Sequence, residues 1–118
     1  MEVNVLGTGY KIVYKTHDEE PLFREKGWDG FCDDTLKEIV ILDLNNTDEW
    51  KKISPISREL TRKRYLRHEI THAFFSESGL SDDSNTYGSG WAVNEEMVDW
   101  IALQFPKMLK AFQEADCL

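Results

Sequence analysis

Arg67-His68-Glu69-Ile70-Thr71-His72-Ala73-Phe74-Phe75 is the stretch on which the reading of the whole chain turns. On an α-helix His68 and His72 project from one face about a turn apart, so their ring nitrogens can converge on one cation at roughly 2.0–2.1 Å each. Glu69 points to a neighbouring part of the surface. There it can take a proton from water held in an open metal position, which is the work of a general base. Catalytic zinc sites ordinarily carry three protein ligands, so this stretch requires a third from elsewhere in the chain.

The flanking residues supply the helix. Ser54-Pro55 or Ser57 starts it, with serine as cap and proline tolerated in the first turn, and Gly79 is suited to end it. Between them Leu60, Leu66, Ile70, Ala73, Phe74 and Glu77 recur at helical spacing, which makes the helix amphipathic. Upstream, residues 3–16 read as one strand bent at Gly7 and Gly9. Residues 27–34 and 38–44 read as two more strands joined by a short turn, and such short connections imply a three-stranded, mostly antiparallel sheet. The apolar run Ile39-Val40-Ile41-Leu42 implies a strand covered on both faces. Residues 49–53 suggest one loose helical turn.

Downstream, residues 80–90 have the composition of a loop and residues 91–105 read as a helix with Asn94 at its start. Pro106 is expected to end or kink that helix, with residues 107–112 as an extension or a separate short helix. The expectation is an α+β fold in one domain over residues 1–118, with a small sheet packed on the two-histidine helix and on a second, glutamate-bearing helix.

That second helix offers the missing ligand. In Asn94-Glu95-x-x-x-Asp99 the two carboxylates stand at i and i+4 on one face. One carboxylate can complete a His₂Glu zinc site, and the other can accept the second ring N–H of a ligand histidine and fix its tautomer. Glu96, Asp82 and Asp83 are rivals: Glu96 points off the Glu95–Asp99 face, and the aspartates require the loop to fold back. His17, in a charged loop, reads as solvated, and Cys32 as a small buried hydrophobe in preference to a metal ligand. Phe75 stands where a metzincin has glycine and no histidine follows His72, which excludes that class.

Taken together, the His-Glu-x-x-His of one helix and the Asn-Glu-x-x-x-Asp of the next resemble the gluzincin class of zinc metallopeptidases in a minimal, zincin-like form. The short chain with strands ahead of the active helix also resembles the small ImmA/IrrE-like metallopeptidases often carried by phages and mobile elements. The resemblance covers residues 57–105. It implies one Zn²⁺ held by His68, His72 and Glu95, with Glu69 as general base and Asp99 orienting a ligand histidine. The implied activity is hydrolysis of peptide bonds in a protein or peptide substrate, and the alternative is a catalytically silent zinc-binding regulatory or interaction module. Tyr87, in the loop between the helices, is the candidate oxyanion donor, with a packing anchor as its other reading.

Composition narrows the partners. A formal net charge of −8 over 118 residues argues against nucleic acid, which needs a basic footprint. No apolar run reaches the roughly 18 residues of a membrane span, and neither a leader pattern nor a dense cysteine set is present, so a cytoplasmic protein with two reduced thiols is expected. Arg58, Arg62, Lys63, Arg64 and Arg67, with Lys51 and Lys52, make the approach to the histidines basic. This reads as a solvated helix face, or else as a rim for an acidic segment of a substrate. Oligomeric state is not legible.

Overall fold

Leu6 and Gly7, both at positive φ (51° and 92°), turn the chain back on itself, and the Asn4 side chain accepts the Gly7 N–H at 2.9 Å. Two residues at positive φ make the tight turn that matches strand twist, so residues 2–15 form a hairpin where one bent strand was expected. Its strands are β1 (Glu2–Val5) and β2 (Thr8–Lys15). In the computed structural model, which describes residues 1–86 and 90–118 (Asn85 and Thr86 by their backbone alone), the chain then passes through α1 (Leu22–Lys26), β3 (Gly30–Asp33) and β4 (Glu38–Leu42).

The sheet has four strands in the order β1-β2-β4-β3 and is mixed. The β1–β2 and β3–β4 pairs are antiparallel, but β4 enters between β2 and β3 and runs parallel to β2. The expected three strands are corrected to four; the pairing is mostly antiparallel, as expected, in two of its three pairs, and the β2–β4 pair is parallel. The physical reason for the parallel pair is α1: the excursion through it is long enough to bring β4 back in the direction of β2.

Strand β4 is covered on both faces, as its apolar run implies. Ile39 and Ile41 join Val5, Tyr10, Ile12 and Ala73, and Leu66 and Ile70 of the long helix pack onto that cluster. Val40 and Leu42 face the other way, against Phe23 of α1 and Leu44. Beyond the sheet come α2 (Asp48–Lys51) and α3 (Pro55–Glu77), the helix that carries the two histidines. Ser54 caps α3 by accepting the Ser57 N–H at 3.2 Å, with Pro55 in its first turn. Leu60 and Phe74, counted on its apolar face, are exposed.

Glu77, at the end of α3, fastens the helix to the sheet. Its carboxylate accepts from Thr8 Oγ1 at 2.9 Å, Tyr10 Oη at 2.7 Å and Lys37 Nζ at 2.5 Å. These donors, Lys37 first, hold its pKa down to about 2. A carboxyl with a depressed folded-state pKa stabilises the fold above its ordinary value, near 4.5, and loses that contribution as pH falls from there toward 2. The stability gap between the parent and Glu77→Gln is therefore expected to be full at pH 7 and to shrink as denaturant titrations are repeated down to pH 3. A gap independent of pH would contradict the assignment.

Residues 80–86 form a short helix, α4 (Leu80–Thr86), where a loop was expected. Asp82 and Asp83 in its first turn complement the exposed N–H groups there, so residues that read as loop formers serve as helix starters. The Ala92 N–H donates to Ser84 Oγ at 3.2 Å, and a Cβ on Gly90 would lie 2.4 Å from Ser84 atoms, so only glycine permits this approach. After a single 3-10 turn (Trp91–Val93), α5 (Glu95–Glu114) begins at Asn94, whose side chain accepts the Met97 N–H at 3.0 Å.

Helix α5 runs on through Pro106, which neither ends it nor separates residues 107–112. Proline withholds an N–H from the carbonyl four residues back, that of Ala102, and Arg67 Nε on α3 donates to this oxygen at 2.6 Å instead. Among the described residues no helix is long and apolar enough to cross a membrane.

Candidate metal centre

Helices α3 and α5 bring His68, His72 and Glu95 together. The Nε2 atoms of the histidines are 3.1 Å apart, and Glu95 Oε2 lies 2.9 Å from that of His68 and 3.4 Å from that of His72. Four ligands arranged tetrahedrally at 2.0–2.1 Å from a zinc ion stand about 3.3 Å from one another. The triangle formed here has nearly those edges, and its nitrogen and carboxylate donors are those that zinc accepts. Among the described residues no other group of three His, Cys, Asp or Glu donors converges in this way.

Each expected site residue on described backbone has a place. Asp99 Oδ1 lies 3.4 Å from His68 Nδ1, on the far side of the ring from the converging nitrogens. Burial lowers the pKa of His72, which favours the neutral imidazole that a metal requires. Of the rival ligands, Glu96 and Asp83 are exposed and outside the cluster; Asp82 lines the neighbouring cleft. His17 stands edge-on to Phe23 with ring centroids 6.3 Å apart, a packing role. Tyr87 lies outside the described residues.

Glu69 is the one carboxylate of the cluster that is buried, at 7 % exposure. Burial first, and the neighbouring Glu95 charge second, push its pKa up to about 8. The roof over it is β3, one of the two edge strands of the sheet. A Cβ added to Gly30 would lie 3.2 Å from Glu69 Oε1, from Ile41 Cδ1 and from the Val40 carbonyl oxygen, so the missing side chain is the room that the carboxylate occupies. A glycine in a strand is the sequence signal for such close approach.

Between β3 and α3 opens a cleft of about 630 Å³, with Trp28, Gly30, Phe31 and Cys32 on one wall and Tyr65, His68, Glu69 and His72 on the other. The Leu42 N–H donates to the Asp29 carbonyl at 2.9 Å. In the alternation of an antiparallel ladder, the peptide groups of Phe31 and Asp33 then face β4, and those of Gly30 and Cys32 face outward from the sheet edge. Cys32 is half-buried, and burial, with Glu69 next, pushes its thiol up to about 12, which keeps it a neutral wall residue.

The cleft lining contains Asp29, Asp34, Glu69, Asp82, Glu95 and Asp99 and no lysine or arginine among the described residues. Two of the basic residues of α3 are engaged away from the cleft. Arg58 donates to the Ile53 carbonyl at 2.6 Å and to Asn45 Oδ1 at 3.0 Å, and Arg62 binds both Glu59 oxygens and the Tyr14 hydroxyl. The cleft itself is therefore acidic. No family model, curated protein or solved structure matches the chain, and the chemistry of the site stands on its own geometry.

Proposed function

We propose that the protein is a zinc-dependent, gluzincin-like metallopeptidase that hydrolyses peptide bonds in a protein or peptide substrate, on a zincin-like arrangement of sheet edge and two helices. The observation that carries this reading is the triangle of His68, His72 and Glu95 donors, with edges of 2.9–3.4 Å, beside a buried glutamate. His68, His72 and Glu95 hold the cation, and Asp99, with Oδ1 at 3.4 Å from His68 Nδ1, is the carboxylate that would draw the ring proton to Nδ1 and leave Nε2 free as the donor. A bound Zn²⁺ supplies Lewis acidity toward a carbonyl and lowers the pKa of water beside it.

In its ionised form, which the positive charge of a bound Zn²⁺ would favour against burial, Glu69 takes the proton of the attacking water and passes it to the nitrogen of the departing amine. The outward peptide groups of Gly30 and Cys32 are positioned to pair with an extended substrate backbone laid along the edge of β3. The direct test is degradation of unfolded casein by the purified protein, with loss of cleavage on chelation and its return with Zn²⁺. Zinc bound stoichiometrically with no cleavage of casein or of an unstructured peptide library would contradict the peptidase reading and leave a binding module.

Gly30→Ala is expected to crowd the Glu69 carboxylate by a few tenths of an ångström. Because small misplacements at a reacting centre are costly, turnover should fall roughly tenfold with Zn²⁺ affinity unchanged. Parallel kinetic and metal-binding titrations measure both. Unchanged turnover would mean that Glu69 yields without consequence.

A further inference from the structure

Pro106 and Arg67 answer one another across the two helices that bear the metal-ligand candidates. The ring of Pro106 crowds the Ala102 carbonyl and offers it no hydrogen, and Ala102 is fully buried, where a carbonyl without a donor is destabilising. Arg67 Nε reaches that oxygen from α3 at 2.6 Å. A charged donor on a buried carbonyl makes one of the stronger hydrogen bonds a protein forms.

We infer that this pair is a register pin for the metal centre: Pro106 frees one carbonyl on α5, and Arg67, the residue before His68, takes it and thereby sets Glu95 and Asp99 opposite the histidines. Glu95, Asp99 and Ala102 follow one another on one face of α5 at spacings of four and three. His72, His68 and Arg67 follow along α3 in the opposite direction. The rungs are His72 with Glu95, His68 with Glu95 and Asp99, and Arg67 with Ala102. Sliding α5 by one residue moves each partner about 1.5 Å along the axis and turns it by about 100°, which the short Arg67 bond cannot follow. Every other interior carbonyl of α5 has a backbone N–H four residues on, so the helix presents this oxygen to a neighbour at one place only. Arg67 is thus a positioning residue that acts through Ala102, and the inference rests on the metal-site reading above.

The test is a four-protein cycle of the parent, Arg67→Met, Pro106→Ala and the double variant. Methionine keeps the bulk of the arginine stem without a donor, and alanine at 106 returns a backbone N–H to Ala102. Arg67→Met should lower the thermal midpoint of the metal-free protein by roughly 5 °C. In the presence of Pro106→Ala the same change should cost little, because the carbonyl has its helical partner back. At a temperature where circular dichroism shows every variant folded, Arg67→Met should weaken Zn²⁺ binding roughly tenfold in competition with a chromophoric chelator. The double variant should regain most of that affinity.

Midpoint losses that simply add across the cycle would overturn the pairing of Arg67 with Pro106. Coupled midpoints with Zn²⁺ affinity unchanged in Arg67→Met would overturn the positioning role and leave a purely structural bond. A parent that binds no Zn²⁺ would overturn the metal-site reading itself, and the thermal cycle, run without metal, would still decide whether the two residues are coupled.

Discussion

Glu69→Gln should abolish cleavage, lowering turnover roughly 10²–10⁴-fold, the usual contribution of a positioned general base, and leave Zn²⁺ bound. The amide has the shape of the carboxylate, so the space beneath Gly30 stays filled and the fold is preserved. Glutamine cannot accept and return the proton, and the metal donors belong to other side chains. The measurement is casein cleavage beside metal content in the same preparations. A Glu69→Gln protein that cleaves as fast as the parent would remove Glu69 from the chemistry, and one that loses zinc as well would show that its role is structural.

Glu95→Ala has the second large effect. Substitution of residues that merely support a ligand ordinarily weakens metal binding by 10–100-fold, and loss of a ligand itself should cost at least as much. Asp99→Ala, which frees His68 Nδ1, belongs in the 10–100-fold range. Glu95 is 69 % exposed in its side chain, so its truncation leaves no large cavity and the fold should survive. Competition titrations of the parent and both variants would rank them. Glu95→Ala binding zinc as tightly as the parent would show that the third ligand lies elsewhere.

The histidines were legible because their chemistry depends on a local spacing: four residues on a helix that starts at a serine–proline cap bring two rings to one face whatever else the chain does. Glu95 and Asp99 were legible for the same reason, with Asn94 marking where their helix begins. What could not be read depended on partners far along the chain. Leu6, a non-glycine residue at positive φ, concealed the turn between β1 and β2. The parallel pairing of β2 with β4 follows from where β4 inserts, which no local pattern records.

The same holds for the two helices that departed from expectation. The Ser81-Asp82-Asp83-Ser84 run has loop composition, yet its carboxylates sit well at a helix start and Ser84 is held by Ala92 across Gly90. Pro106 is a helix breaker by composition, yet α5 continues through it, and the carbonyl it leaves without a helical donor is taken by an arginine 39 positions earlier. Gly30 has the pattern of a strand residue, and what its missing side chain makes room for, the Glu69 carboxylate, comes from another element.

The most direct test of the account is anomalous diffraction at the zinc absorption edge from crystals of the protein grown with Zn²⁺. One peak per chain is expected, about 2.0–2.1 Å from His68 Nε2, His72 Nε2 and a Glu95 oxygen. No peak, or one that leaves any of these three residues out of its shell, would contradict it.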